Sequence, residues 1–91
     1  MAEVTDHAAR NRFEMVVDQE TAFVIYVRHG DRLTLVHTEV PQAMAGHGVG
    51  SALAHAVLEE VRRRGLHVVP RCAFMAAFIA RHPEFADLVA S

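Results

Sequence analysis

The sequence predicts a mixed α/β fold, in which a three-stranded antiparallel meander is followed by a helix, a parallel fourth strand and a C-terminal helix. Three observations predict it. Residues 12–40 contain three segments with strand-type patterning, joined by short links rich in turn residues. Residues 46–65 hold closely spaced glycines, then apolar residues at helical spacing and a stop glycine. A short apolar stretch and a second helical pattern follow, which completes a crossover unit.

The first three strands are predicted from alternation and from β-branched residues. Arg12–Val17 alternates, Thr21–Arg28 is rich in β-branched and aromatic side chains, and Arg32–Val40 resumes the alternation. Pro41 ends the third strand because it has no N–H group to donate. Alternation predicts two faces for this third strand: Leu33, Leu35, His37 and Glu39 on one, and Thr34, Val36, Thr38 and Val40 on the other.

The second half of the chain is predicted as helix, strand and helix. The apolar spacing predicts a helix over Val49–Arg64, and Gly65 supplies its C-terminal stop. Leu66–Pro70 reads as a short buried strand, and the crossover makes it parallel to the third strand. Cys72–His82 is predicted as the last helix, with a proline just beyond its end.

Length and composition are those of one small globular domain. The chain has 91 residues, of which 52% are hydrophobic and 22% charged. We expect a flexible N-terminal arm at residues 1–11, which lack periodicity, and a single domain at residues 12–91. A core of this size would gain stability from a bound ligand or from assembly into a homodimer.

The net charge and the cysteine content limit which binding partners and which cellular location are expected. A formal charge of −2 argues against nucleic acid as a partner. No apolar run approaches the roughly 20 residues of a membrane span, so no membrane partner is expected. The single cysteine excludes an internal disulfide, and the polar N-terminus does not resemble a signal peptide, so the predicted location is cytoplasmic.

The most informative stretch is Ala45–Ser51, which reads Ala-Gly-His-Gly-Val-Gly-Ser. Glycines at alternate positions let successive N–H groups point into one concavity. The helix that follows adds its unpaired N–H groups and the positive end of its dipole, which together suit a phosphate or diphosphate. The alternative is a tight strand-to-helix connection without a ligand, and the glycines alone leave both open.

Four short motifs follow one another along nearly the whole chain: Leu35–Pro41, Gly46–Ser51, Val69–Cys72 and His82–Leu88. In this order they resemble the acetyl-CoA-binding core of the GNAT N-acetyltransferase superfamily, and they fit its compact single-domain, YjdJ-type branch best. The resemblance covers about Phe13 to Leu88. It implies a minimal GNAT-like fold, acetyl-CoA as cofactor, and transfer of an acetyl group to the amine of a small molecule or protein.

The resemblance also implies where the cofactor binds. The diphosphate is expected at the loop residues Gly46, His47, Gly48, Val49, Gly50 and Ser51. The pantetheine arm is expected to pair as an added strand with Thr38, Glu39 and Val40, and Phe78 to line its channel. The superfamily loop usually reads Arg/Gln-x-x-Gly-x-Gly/Ala, and Ala45 stands at the Arg/Gln position. One side chain near the diphosphate is thereby lost, whereas the backbone amides remain.

Two side chains are suited to acetyl transfer, which needs a neutral amine and a stabilised thiolate leaving group. Histidine is the side chain whose ordinary pKa lies nearest neutrality, which makes His37 the candidate base; the alternative is a core histidine. Cys72 opens the last helix, where the dipole favours a thiolate. It would either accept the acetyl group or protonate the leaving thiolate, and the alternative is a small buried hydrophobe. The superfamily often uses a tyrosine as this acid, but Tyr26 lies on the second strand and does not match it.

The sequence also bears on functions other than acetyl transfer. The missing tyrosine and Arg/Gln residue keep open a module that binds CoA or acyl-CoA without catalysis. A dinucleotide-binding fragment is disfavoured, because no acidic residue ends the strand at Leu66–Pro70. The remaining histidines lack the spacing of metal ligands, so no metal site is predicted.

Overall fold

The computed structural model describes residues 3–90, which form a five-stranded sheet with two α-helices. The strands are β1 (Val4–His7), β2 (Arg12–Val17), β3 (Glu20–His29), β4 (Arg32–Glu39) and β5 (His67–Pro70), and they follow this order across the sheet. The helices are α1 (Val49–Arg63) and α2 (Ala73–Arg81), and short 3-10 segments span Ala8–Arg10, Gln42–Met44 and Pro83–Leu88. Neighbouring strands are antiparallel except β5, which is parallel to β4. The predicted mixed fold and its parallel last strand are confirmed.

The N-terminal segment is an edge strand, so the prediction of a flexible arm is wrong for the residues of β1. This strand runs antiparallel to β2, with Val4 opposite Met15 and His7 opposite Arg12. Val4 packs against the core, but its neighbours are polar, and a local pattern with one apolar residue does not predict a strand. The antiparallel part of the sheet therefore has four strands rather than three. Residues 1 and 2, also part of the predicted arm, lie outside the described residues.

Asp6 holds β1 against the rest of the domain through two charged or polar partners. The Tyr26 hydroxyl donates a hydrogen bond of 2.6 Å to Asp6 Oδ1. The Arg64 guanidinium, just after α1, donates one of 2.8 Å to Asp6 Oδ2 and a second of 2.6 Å to Glu60. A charge-assisted pair of this kind contributes more than a neutral hydrogen bond, so these side-chain contacts add to the ladder with β2 in fixing this polar strand.

The core lies between one face of the sheet and the inner faces of both helices. Alternate strand residues supply its sheet side, and residues at helical spacing supply the other side, as the periodicity predicts. The largest fully buried side chains are Phe13, Phe78, Phe85, Met15, Leu33, Leu35, Leu53, Leu58, Met75, Val24, Val57 and Val61. Burying a large aliphatic or aromatic side chain stabilises the fold by about 1.5–3 kcal/mol, which makes this layer the main source of stability.

β4 contains one extra residue relative to β3. Leu35 pairs with Tyr26 and His37 pairs with Ile25, so Val36 has no partner of its own. Such a β-bulge breaks the alternation, because the side chains beyond it point to the opposite faces from those that a regular strand gives them. A single unpaired residue leaves no signature in the alternating pattern of the sequence.

The bulge makes the predicted face of His37 wrong. Leu33 and Leu35 face the helices, as predicted, but His37 and Glu39 now lie on the other face of the sheet and are exposed. Thr38 is turned to the helix side, where it contacts Cys72, the residue just before α2. The strand thus presents a different set of side chains to each face at its C-terminal end.

At alkaline pH, the stability of the domain should depend on whether the buried hydroxyl of Tyr26 keeps its proton. Burial, followed by the hydrogen bond to Asp6, raises the pKa of Tyr26 from 10.0 to about 12. The folded state holds this proton more tightly, so its contribution is complete below pH 10 and is lost as the pH rises from about 10 to 12. The chain has no lysine and one tyrosine, so few other groups titrate in this window.

We expect Tyr26→Phe to be less stable than the wild type by about 1–2 kcal/mol at pH 8, because Asp6 loses a donor. That difference should shrink as the pH rises through the window. Urea unfolding of both proteins at steps between pH 8 and 11.5 measures it. Unfolding free energies that stay parallel over the whole range would contradict the prediction.

Candidate functional site

In the connection between β4 and α1, the N–H group of His47 donates to the carbonyl oxygen of Met44 at 3.2 Å, whereas the N–H groups of Gly46 and of residues 48–51 make no backbone hydrogen bond within the described residues. Gly46 and Gly48 have φ values of +81° and +76°, a conformation in which side chains with a Cβ are strained. Gly48 is the N-cap residue of α1, and no side chain caps the helix. The N–H groups of the first helical turn therefore lack a capping side chain, and the positive end of the helix dipole lies behind them. This geometry suits an anion such as a diphosphate.

A surface cavity of about 270 Å³ lies along this loop. Phe74 of α2 forms one wall, close to Gly50: a Cβ atom added to Gly50 would lie 2.9 Å from Phe74 Cζ and 3.5 Å from Val40 Cγ2. Glycine at position 50 therefore allows the ring to approach the loop. The lining residues are Val40, Met44, Ala45, Gly46, Gly48, Val49, Gly50, Ser51 and Phe74. We define this space as the loop cavity.

The pairing of β4 with β5 stops halfway along β4. Its last pair is Leu35 with Pro70. The carbonyl oxygen of Leu35 then accepts two hydrogen bonds, from the N–H groups of Arg71 at 3.1 Å and of Cys72 at 2.9 Å. β4 continues to Glu39 beyond this point, so its edge toward β5 is open from the bulge to the loop. An open strand edge beside an anion-binding loop can pair with an extended ligand.

Cys72 is the N-cap residue of α2 and lies where the two strands diverge. Its thiol is 3.3 Å from the Thr38 hydroxyl. Burial, the largest single influence, raises the pKa of this thiol, but the Thr38 hydroxyl and the N–H groups of Met75 and Phe74 together hold it below the ordinary value. The structure thus brings Cys72 and Thr38 together at a position that stabilises a thiolate.

His37 does not join this pair, because the bulge places it on the other face of the sheet. Its Nε2 atom lies 3.2 Å from Glu39 Oε1, and the two side chains are 55% and 59% exposed. The imidazole is therefore accessible from the face that the helices leave open, with a carboxylate beside it to orient the ring or balance its charge.

Two of the predicted cofactor residues lie elsewhere. Phe78 is 2% exposed and stacks on His82 with ring centroids 3.9 Å apart, so it belongs to the core and not to a channel. Phe74, one helical turn earlier, takes the position at the loop; its greater exposure distinguishes it from Phe78, and periodicity alone does not. His47 lines a second cavity and not the loop cavity.

The described part of the chain holds no group of three or more histidine, cysteine or carboxylate side chains that could bind a metal ion. Within residues 3–90, neither helix is long and apolar enough to cross a membrane.

Comparisons with known proteins identify relatives of this chain. The sequence profile of a family described as GCN5-related N-acetyl-transferase matches residues 12–88. Protein NATD1 of Bos taurus is 34% identical over 65 residues, which cover 70% of this chain and 58% of that protein. An NMR solution structure of a GCN5-like N-acetyltransferase candidate from Staphylococcus aureus has a TM-score of 0.73 at 24% identity, over 98% of this chain and 88% of the other.

The three comparisons differ in what they show about this chain. The family profile covers most of the chain, including both the loop and Cys72. The match to protein NATD1 spans 58% of that protein, little more than half its length. At 24% identity, the solved structure shows the shared fold.

The contact between Thr38 and Cys72 predicts the reactivity of the thiol. Thr38→Val removes the hydroxyl that stabilises the thiolate, so we expect the pKa of Cys72 to rise and alkylation at neutral pH to slow by roughly three- to tenfold. The rate of reaction with iodoacetamide as a function of pH measures both. Thr38→Ser should keep the wild-type profile, and Thr34→Val, on the opposite face of the same strand, is the matched control. A Thr38→Val profile that coincides with the wild type would refute the contact.

Proposed function

The chain belongs to the family of GCN5-related N-acetyltransferases, and from that premise we propose that it transfers the acetyl group of acetyl-CoA to an amine. The observation that carries this proposal is the open edge of β4, which leads from the Cys72 thiol to the uncapped start of α1. The narrower assignment to the compact YjdJ-type branch stays a prediction.

The residues present fit this cofactor. The free N–H groups of Gly46 and of residues 48–51 would hold the diphosphate, and they would do so without the arginine or glutamine that Ala45 replaces. The open edge at Thr38–Val40 would pair with the amide groups of the pantetheine arm. Gly50 lets the Phe74 ring lie against the loop, which gives the loop cavity an aromatic wall.

Cys72 and Thr38 would act on the acyl side of the reaction. Bound acetyl-CoA supplies the acetyl thioester. In one route the Cys72 thiolate attacks the acetyl carbonyl, a new S–C bond forms, and the CoA thiolate leaves and takes a proton from solvent. The amine then attacks S-acetyl-Cys72, which releases the Cys72 thiolate. In the other route the Cys72 thiol donates its proton to the CoA thiolate as the amine attacks directly.

His37 would act on the amine side. In either route the attacking amine must lose a proton, and an exposed imidazole beside Glu39 can accept it. The Tyr26 hydroxyl cannot supply the acid that many superfamily members take from tyrosine, because it is buried and bonded to Asp6. Since Cys72 is a free thiol that this chemistry needs reduced, we also propose a cytoplasmic location.

A second candidate is a module that binds CoA or acyl-CoA without transfer. It is favoured by the replacement of the usual Arg/Gln residue by Ala45 and by the commitment of Tyr26 to Asp6. The two candidates share the cofactor site and differ only in turnover, so binding and transfer must be measured separately.

The loop assignment predicts the effect of Gly48→Val on CoA binding. A valine at this position would cover the free N–H groups, and we expect calorimetric titration with CoA to show at least tenfold weaker binding. Gly30→Val is the matched control, because Gly30 also has a positive φ of +63° and open space around its Cβ position. Both variants should lose about 1–2 kcal/mol of stability from backbone strain. Equal CoA affinity in the two variants would contradict the assignment.

The proposed chemistry predicts the fate of the acetyl group. The chain has no lysine, so acetylation of the protein by acetyl-CoA has few sites other than the Cys72 thiol. If the first route holds, intact-protein mass spectrometry without an amine should show one hydroxylamine-sensitive acetyl group in the wild type and none in Cys72→Ala.

Turnover with an amine should fall about a hundredfold or more in Cys72→Ala and also, through loss of the base, in His37→Ala. If Cys72→Ala lacks turnover and the wild type forms no acetyl adduct, the acid route is the correct one. Tight CoA binding with no transfer to any of a panel of primary amines would favour the binding module instead.

A further inference from the structure

A second cavity lies on the other side of the glycine loop, between that loop and the β2–β3 hairpin. Its volume is about 410 Å³, which is within the range of small-molecule sites. The lining residues are Val17, Asp18, Glu20, Ala43, Met44, His47 and Val49. We define this space as the hairpin cavity. Met44 and Val49 also line the loop cavity, so the two spaces share a wall.

The lining of the hairpin cavity combines apolar walls with two carboxylates. Val17, Met44 and Val49 offer aliphatic surface, whereas Asp18 and Glu20 bring negative charge. Neither carboxylate takes part in any ion pair or side-chain hydrogen bond within residues 3–90. Their charge is thus available to a ligand, and the complementary ligand carries a cationic group on an aliphatic chain.

The hairpin fixes both carboxylates at the end of the sheet. Asp18 and Gln19 form its two-residue turn with φ values of 50° and 71°, and Glu20 is the first residue of β3. A two-residue turn with both φ values positive matches the right-handed twist of the strands that it joins. The carboxylates therefore project from a defined position rather than from a long loop.

We propose that the hairpin cavity binds one ammonium group of an aliphatic polyamine, whose other end carries the amine that is acetylated. The inference rests on the proposed function, and it names the class of acceptor. Along β3, Glu20 lies four residues before Val24, which pairs with Thr38. At about 3.3 Å per residue, the cavity and the Thr38–Cys72 pair are roughly 13 Å apart along the strand, a distance that calls for a long aliphatic chain between the bound ammonium group and the acetylated amine.

Binding of an amine to the cavity is tested without the cofactor. We expect calorimetry to detect binding of n-pentylamine to the wild type, with an affinity that falls as salt is added. The double variant Asp18→Asn/Glu20→Gln should bind it about tenfold more weakly or worse, because the charge-assisted contacts are gone. Glu59→Gln/Glu84→Gln removes the same charge from a separate cavity and should bind as the wild type does.

Two results would overturn the proposal. One is an unchanged n-pentylamine affinity in Asp18→Asn/Glu20→Gln. The other is that the wild type binds the neutral n-pentanol as tightly as n-pentylamine, which would mean that the carboxylates do not contribute to recognition. The double variant keeps the turn residue Gln19 and replaces exposed side chains, so circular dichroism should match that of the wild type.

The acceptor role is tested with acetyl-CoA and spermidine. We expect the double variant to raise the KM for spermidine about tenfold at unchanged kcat, because the substituted residues lie away from the Thr38–Cys72 pair. An unchanged KM with full transfer would refute the cavity while the proposed function stands. Amine binding with no acetylated product from the wild type would refute the proposed function, and with it the acceptor role, while the amine site stands.

Discussion

The end of the β4–β5 ladder at Leu35 is the constraint on which the rest of the site depends. One carbonyl oxygen accepts two N–H groups from the start of the turn toward α2, and the extra residue Val36 follows at once on β4. Together they leave the remaining edge of β4 unpaired. They also exchange the faces of the sheet toward which the later side chains of β4 point. Without the bulge, Thr38 would face away from Cys72 and the open edge would not begin beside the thiol.

The hydrogen bonds of Asp6 explain how so short a chain keeps this geometry. They fasten a polar strand to β3 and to the end of α1, and in doing so they bury the hydroxyl of Tyr26. The tyrosine therefore serves stability and is not free to act as an acid. In the proposed function this role falls to Cys72, whose thiol pKa is raised by burial but held below its ordinary value by Thr38 and two helix N–H groups.

The sequence predicted what depends on local pattern. The boundaries of β2, the amphipathic α1, the parallel β5 and the glycine loop all follow from periodicity or turn chemistry, and the structure confirms them. The sequence could not predict β1, because Asp6 of this strand is held by contacts with residues 20 and 58 positions away. Nor could it predict the faces of His37 and Thr38, because an unpaired residue is defined by its partner strand.

The same bulge divides the proposed chemistry between the two faces of one strand. Thr38 turns toward the helices, the loop cavity and Cys72, whereas His37 turns toward the face that the helices do not cover. A base and a thiol on opposite faces cannot share a proton directly. They can, however, serve the two reactants of a transfer reaction, one on each side of the open edge.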